Sequence, residues 1–267
     1  MLDPAIEQYY ANGKEELRLF NDGWARLEYV RTLELLERLL PAAPARLLDV
    51  GGATGVYAAP LCQRGYVVDL VDPVVTHVER ANAIATELGL SGALSARLGD
   101  ARDLDAADGV YDGVLMLGPL YHLVDRGDRA RAWREAARVV APGGVIAAVG
   151  ISRFASLLDG LERGLLSDPV FRAVVDEELR TGQHRNPDIE GRPVLFTTAY
   201  FHLPDELIDE ALEAGLIDVE LRAVEGPGWI VENIDDLPAQ LYAARAVEFE
   251  PSLMSATSHM LVTARRP

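Results

Sequence analysis

The stretch Leu47-Leu48-Asp49-Val50-Gly51-Gly52-Ala53-Thr54-Gly55 decides how this chain folds. Arg46 to Val50 is a short apolar run stopped by glycine, which reads as a buried strand of a parallel sheet. The glycines then make a tight turn, and a helix is expected from about Gly55. A strand, a glycine turn and a helix N-terminus together let backbone N–H groups approach a ligand. The dinucleotide pattern G-x-G-x-x-G needs glycines at 51, 53 and 56, whereas the chain has Gly51, Ala53 and Val56. Asp49 adds a carboxylate at the strand's C-terminal end, where it repels a pyrophosphate and suits a cationic amino-acid moiety.

The surrounding composition narrows the classes. At 267 residues the chain suits one α/β domain with appendages, and a 49% hydrophobic share supplies a sizeable core. A net charge of -17 disfavours nucleic-acid phosphates and anionic membrane surfaces as partners, and suits solubility. The lone cysteine, Cys62, falls in a predicted helix as a small core residue. It cannot form an internal disulfide, which points to a reducing cytoplasm. No basic and apolar leader opens the chain, and no apolar run is long enough to span a bilayer.

Taken in order, residues 1–44 predict an N-terminal helical cap. Its second helix, roughly Trp24 to Leu40, carries Leu27, Val30, Leu33, Leu36 and Leu40 at helical spacing and is ended by Pro41 and Pro44. Strands are expected at 46–50, 67–71, 94–98, 113–117 and 145–149, with helices at about 55–64, 74–88 and 126–140. That alternation predicts a doubly wound, Rossmann-like parallel sheet over a core of 45–151. Regularity breaks over 152–200, where helices at 153–164 and 168–181 and a Gly/Pro/Asn loop read as an insertion above the sheet. Residues 201–267 return to the core with a helix from Pro204, a strand at 218–224, a helix at 235–248 and a closing strand at 259–264.

These motifs, in this order, resemble a class I S-adenosylmethionine-dependent methyltransferase over about 45–150 and 204–267. The family's first motif, D/E-x-G-x-G-x-G, stands as Asp49-Val50-Gly51-Gly52-Ala53-Thr54-Gly55, with Ala53 replacing the middle glycine. S-adenosylmethionine carries an ammonium and a sulfonium, which matches the chemistry read from Asp49. The resemblance implies a seven-stranded, mostly parallel sheet with one antiparallel strand. It implies that the first loop surrounds the cofactor's methionine part and that Asp72-Pro73, ending strand two, binds the ribose hydroxyls. Asp69 is the rival acid, and Asp72 also suits a helix N-cap. Asp100-Ala101 matches the position that contacts the adenine amino group, although Asp100 equally suits a turn cap. Leu117-Gly118, ending strand four, matches the motif flanking the transferable methyl, and Val139-Val140-Ala141-Pro142-Gly143-Gly144-Val145 resembles the L-x-P-G-G turn before strand five.

The string Gly118-Pro119-Leu120-Tyr121-His122-Leu123 is similar to one found in bacterial methyltransferases of the small-molecule type. It departs from the N/D-P-P-Y/F motif of amino-directed nucleic-acid enzymes. His122 is the general-base candidate, because the ordinary imidazole titrates near neutrality, and Tyr121 is the second catalytic candidate, lining the methyl pocket or contacting the cofactor. A structural hydrogen-bonding role is the alternative for His122. Substrate-side candidates are Tyr9, Tyr10 and Arg18 in the N-terminal layer, Arg153 after strand five, and His184, Tyr200 and His202 around the insertion, each with a structural or solvent-exposed role as the alternative; Trp229 either walls the pocket or belongs to the core. Arg18 and Arg153 would suit a carboxylate acceptor. No metal-ligand spacing and no G-x-S-x-G elbow occur. The expectation is methyl transfer to an O or N nucleophile of a small molecule, by a monomer or homodimer. Protein or peptide methylation and non-catalytic cofactor binding are the rivals.

Overall fold

The computed structural model describes residues 23–186, 196–230 and 236–267. Tyr9, Tyr10 and Arg18 lie outside them. The first described helix, α1 (Gly23–Leu39), leads into β1 (Arg46–Val50), the α2 helix (Ala58–Gln63), β2 (Val67–Asp72), α3 (Val75–Glu87), β3 (Leu94–Leu98) and β4 (Tyr111–Met116). The short α4 (Pro119–His122) and the longer α5 (Arg126–Val139) precede β5 (Val140–Ser152). Next come α6 (Ala155–Glu162), α7 (Pro169–Thr181), β6 (Gln183–His184), β7 (Ala199–His202), α8 (Pro204–Glu213), β8 (Ile217–Ala223), α9 (Leu237–Ala246) and β9 (His259–Arg265).

Among the described residues the sheet has nine strands rather than seven. Strands one to five run parallel in the order β3-β2-β1-β4-β5, and β9 pairs antiparallel with both β5 and β8. The two additional strands come from the insertion: β7 pairs parallel with the last residues of β5, through Ile151 and Ser152, and β6 pairs antiparallel with β7. They are two and four residues long, too short for alternation to reveal. β5 also begins earlier than its apolar run, because Val140 pairs with Tyr111 before the Pro142-Gly143-Gly144 irregularity resets the register to Gly113 and Val145.

Strand alternation divides the core between the two faces. Leu48, Val50, Val114 and Met116 pack with Trp133 and Ala136 of α5 on one face. Leu47, Leu115, Val68 and Leu70 pack with Leu36, Leu61 and Ala81 on the other. Asp49 shares the parity of Leu47 and is 1% exposed, so it is a carboxyl group inside an otherwise apolar strand. The strand order reverses between β1, from which it runs outward to β2 and β3, and β4 on its other side. Open α/β sheets bind ligands at such a switch point, beyond the strands' C-terminal ends.

Helix α1 is fixed over this edge by charge pairs with the chain's C-terminal part. Glu248 accepts hydrogen bonds from the Arg31 Nη2 atom at 2.5 Å and from both terminal nitrogens of Arg38, and Arg245 forks onto Glu34. Among the described residues no helix is long and apolar enough to cross a membrane.

Candidate active site

A cleft opens at the switch point, and most of the sequence-predicted cofactor residues line it together: Asp49, Gly51, Gly52, Ala53, Asp72, Pro73, Asp100, Ala101, Leu117 and Gly118. Tyr121 and His122 line it as well. Gly55 does not. It turns the chain with φ +85°, and a Cβ there would point toward Leu70, Ala81 and Leu94.

The loop after β1 is built for close approach. Gly51 has φ +69°, and a Cβ there would lie 3.1 Å from Pro119 Cδ. A Cβ on Gly52 would fall 2.5 Å from Asp49 Oδ2 and 2.8 Å from Leu70 Cδ1, so only glycine fits. Ala53 has φ +48°, which places an L-residue with a side chain in the left-handed region where the family's glycine would sit.

Three carboxyl groups meet the loop with different electrostatics. Asp49 Oδ2 is buried and has no hydrogen-bond partner among the described residues. Burial, and secondarily the nearby Asp72, push its carboxyl up to about 7. Asp72 is saturated on its protein side: Oδ2 accepts from Ala53 N at 3.0 Å, Oδ1 accepts from Val74 N at 2.9 Å, and His77 Nδ1 lies 3.1 Å from Oδ1. It therefore braces both the glycine loop and the N–H of Val74, the residue that caps α3, without being the cap itself, while its oxygens retain acceptor capacity for hydroxyl donors. Asp69, the rival acid, points elsewhere, to Arg46, Ser95 and Tyr111. The Arg102 guanidinium forks onto Asp100, at 2.9 Å to Oδ1 and 2.6 Å to Oδ2, and holds that carboxyl below its usual range. Arg102 N also bonds Asp100 Oδ1 at 2.9 Å, so Asp100 closes a turn as well as facing the cleft.

His122 stands at the end of α4, with its ring 4.7 Å from that of Tyr121 and 6.2 Å from that of Phe196. Burial pulls its imidazole down to about 4, against a smaller opposing pull from Asp72 and a backbone hydrogen bond at Thr198. The side chain is uncharged at neutral pH. The near-neutral titration that makes it a general-base candidate in the sequence does not hold in the fold.

The insertion residues are arranged differently from the sequence expectation. Arg153, Tyr200 and His202 are not among the residues lining the cleft. Arg153 donates Nε to Phe201 O at 2.7 Å and Nη2 to Glu206 Oε2 at 2.7 Å, so its guanidinium is spent inside the fold. Tyr200 lies beneath the Arg129 guanidinium and donates its hydroxyl to Glu206. His202 is fully buried with Nε2 3.6 Å from Glu210 Oε2. His184 pairs with buried Glu178, and Trp229 donates Nε1 to Ala256 O at 2.8 Å.

Sequence reasoning missed a second polar group on the cleft wall, formed by Glu28 and Thr32 of α1 and His259 at the start of β9. β9 runs antiparallel, so its N-terminal residue lies at the edge where the other strands end. A signal was available: Glu28 and Thr32 interrupt the apolar stripe one helical turn apart, and His259 opens an apolar strand.

Comparison with known proteins agrees with this geometry. Residues 47–144 match the Methyltransferase domain family. The chain is 38% identical over 120 residues to an uncharacterised methyltransferase of Mycobacterium tuberculosis, an alignment covering 45% of either protein's length. It is 29% identical over 224 residues to a malonyl-[acyl-carrier protein] O-methyltransferase of Geobacter sulfurreducens, covering 81% of this chain and 72% of that one. An S-adenosylmethionine-dependent methyltransferase structure from Thermotoga maritima superposes over 99% of both chains with a TM-score of 0.59 at 19% identity, a likeness of fold. The chain thus carries a methyltransferase domain over residues 47–144, on a fold that it shares with S-adenosylmethionine-dependent methyltransferases.

Proposed function

We propose that this protein transfers a methyl group from S-adenosylmethionine to an oxygen or nitrogen nucleophile on a small-molecule acceptor. The observation that carries the reading is the unpartnered, buried Asp49 Oδ2 beneath a glycine loop that only backbone can occupy. A buried carboxyl without a partner is costly, and a cationic amino-acid moiety above the loop would relieve it. Gly51, Gly52 and Ala53 would surround the methionine part, Asp72 with Pro73 would accept the ribose hydroxyls, and Asp100 with Ala101 would border the adenine. Leu117, Gly118, Tyr121 and His122 would wall the methyl compartment.

The cofactor supplies an electrophilic methyl on a positively charged sulfur. The chain's own work is alignment and exclusion of water, which suffice for much of the acceleration of an in-line displacement. His122, uncharged and bonded to the backbone at Thr198, contributes a fixed polar surface there. The O-methyltransferase named among the relatives supports an oxygen nucleophile, and the net charge of -17 supports a target other than nucleic acid.

Calorimetry with S-adenosylhomocysteine, followed by transfer of labelled methyl from S-adenosylmethionine to a panel of phenols, alcohols, amines and carboxylic acids, tests the reading. Micromolar binding and turnover of a panel member are expected. Absence of binding overturns it. Binding with transfer only to proteins or peptides, or with no transfer at all, replaces it with one of the rivals.

A further inference from the structure

Glu225 is fully buried just beyond β8, and its carboxylate is fixed on both sides. Oε1 lies 2.6 Å from His259 Nδ1, while Oε2 accepts from Thr257 Oγ1 at 2.7 Å and from the His259 backbone N–H at 2.9 Å. An acceptor-only group against Nδ1 selects the tautomer with its proton on that nitrogen, which sets the imidazole lone pair on Nε2. His259 itself lines the cleft and pairs with Ile151 of β5, on the β5–β9 side of the switch point.

Resting on the methyl-transfer reading, we propose that His259, oriented by Glu225, is the proton acceptor of the reaction, and that the acceptor molecule presents a hydroxyl or amine rather than a carboxylate. His259 is the catalytic residue in this assignment and Glu225 a positioning residue. The acceptor's X–H bond breaks with its proton passing to Nε2, and the electron pair forms the new X–CH3 bond. The methyl's bond to sulfur breaks with its electrons staying on sulfur, so the positive charge ends on an imidazolium beside Glu225. Among the described residues, the titratable groups facing His259 are Glu225 and, 4.0 Å from Nδ1, Glu28 of α1; Tyr121 and His122 share the cleft lining. The preference against carboxylates follows from the same wall. It offers the carboxyl group of Glu28, with Glu225 buried behind His259, while the one guanidinium among the described lining residues, Arg102, is held by Asp100 and Asp128.

Glu28, Glu225 and His259 bring ligand-type atoms within 4.8 Å of one another, so a bound cation is the competing use of this triad. The test therefore runs every assay in chelator. His259→Gln should lower kcat at least 100-fold, the scale of general-base catalysis, with S-adenosylhomocysteine affinity held within about threefold. Glu225→Gln should lower kcat about tenfold and move the rise of kcat/KM with pH to lower pH, because the imidazolium loses its counter-charge; a merely structural role would not move that limb. Nitrogen-15 histidine NMR of the wild type with S-adenosylhomocysteine bound, assigned by the His259→Gln spectrum, should find the proton on Nδ1. An Nε2–H tautomer, a His259→Gln variant that binds cofactor and keeps kcat within threefold, turnover of carboxylic acids only, or turnover lost on chelation and restored by a divalent cation would each overturn the proposal. Failure to bind S-adenosylhomocysteine, or binding without any methyl transfer, would overturn the methyl-transfer reading instead. The tautomer would still decide whether Glu225 sets the lone pair of His259.

Discussion

Ala53 donates its backbone N–H to Asp72 Oδ2 over 3.0 Å, so the loop after β1 and the acid ending β2 form one hydrogen-bonded unit. The other Asp72 oxygen is taken by Val74 N at the start of α3. Removing this carboxylate frees two backbone donors at once. Asp72→Ala is expected to cost about 2 kcal/mol of stability and to weaken S-adenosylhomocysteine binding at least tenfold, on the scale of hydrogen bonds to charged groups. Asp72→Asn, which keeps an acceptor oxygen, should recover part of the stability and less of the affinity. Calorimetry and thermal unfolding measure both. Unchanged affinity in Asp72→Ala would leave Asp72 as a brace alone.

Neighbouring loop positions should respond oppositely to a single methyl group. Gly52→Ala drives a Cβ to 2.5 Å from Asp49 Oδ2 and 2.8 Å from Leu70 Cδ1, both in packed side chains. The expected cost is about 1–3 kcal/mol with loss of cofactor affinity. Ala53→Gly removes a Cβ from a φ of +48°. Left-handed strain of about 1–2 kcal/mol is relieved, partly offset by the greater freedom of glycine in the unfolded chain. The net effect should be a Tm unchanged or raised by about 2 °C with affinity retained. A fall in Tm would mean that Ala53 packs usefully.

The buried carboxyl of Asp49 makes a pH prediction. Its native value is raised from 3.8 to about 7 by burial and by Asp72. The native state therefore holds a proton that the unfolded chain has already released. The stability from this group is complete below the unfolded value and is lost as pH rises from about 4 to about 7. Binding of a cationic amino-acid moiety favours the ionised form, so cofactor affinity should rise over the same interval. Asp49→Asn should abolish both trends and leave the cofactor-free protein more stable than the wild type at about pH 8. Unfolding and binding measured between about pH 5 and pH 8 test this. A wild-type affinity independent of pH would separate Asp49 from the ligand's charge.

The parts of this molecule legible in its sequence are those where a local pattern and the global fold coincide. β1, β2 and β3 lie where their apolar runs end in glycine or Asp-Pro, and α3, α5 and α7 lie within a residue or two of their periodic segments. Asp49, Asp72, Asp100 and Leu117-Gly118 follow one another at strand ends, and chain order carries them to one edge. The Glu225–His259 pair is separated by a helix and a loop in the chain, and only the antiparallel course of β9 brings His259 to that edge. Strand direction is not written in apolar alternation, so the pair stays hidden in the sequence. The insertion misled for a related reason. Arg153 and Tyr200 look like functional side chains because they are polar, yet both are used to hold irregular backbone together.

Arg153 joins the end of β5 to β7 and α8 through Phe201 O, Tyr200 Oη and Glu206 Oε2, and Glu206 also accepts from Leu203 N at 2.9 Å. Its side chain is 5% exposed, so its removal leaves Glu206 and a backbone carbonyl without their cation. Arg153→Met should destabilise the protein by about 1–2 kcal/mol, the scale of lost hydrogen bonds to a charged group, because Glu206 is 35% exposed and keeps its bonds from Tyr200 and Leu203 N. Arg153→Lys should be nearly as damaging, because an ammonium cannot fork to two acceptors 2.7 Å away on different groups with the same geometry. Cofactor affinity should stay within twofold for both, since Arg153 is not part of the cleft lining. Chemical denaturation paired with calorimetry makes the distinction. An Arg153→Met protein of wild-type stability whose acceptor KM rises tenfold would return Arg153 to the substrate side and place a carboxylate-binding subsite under the insertion.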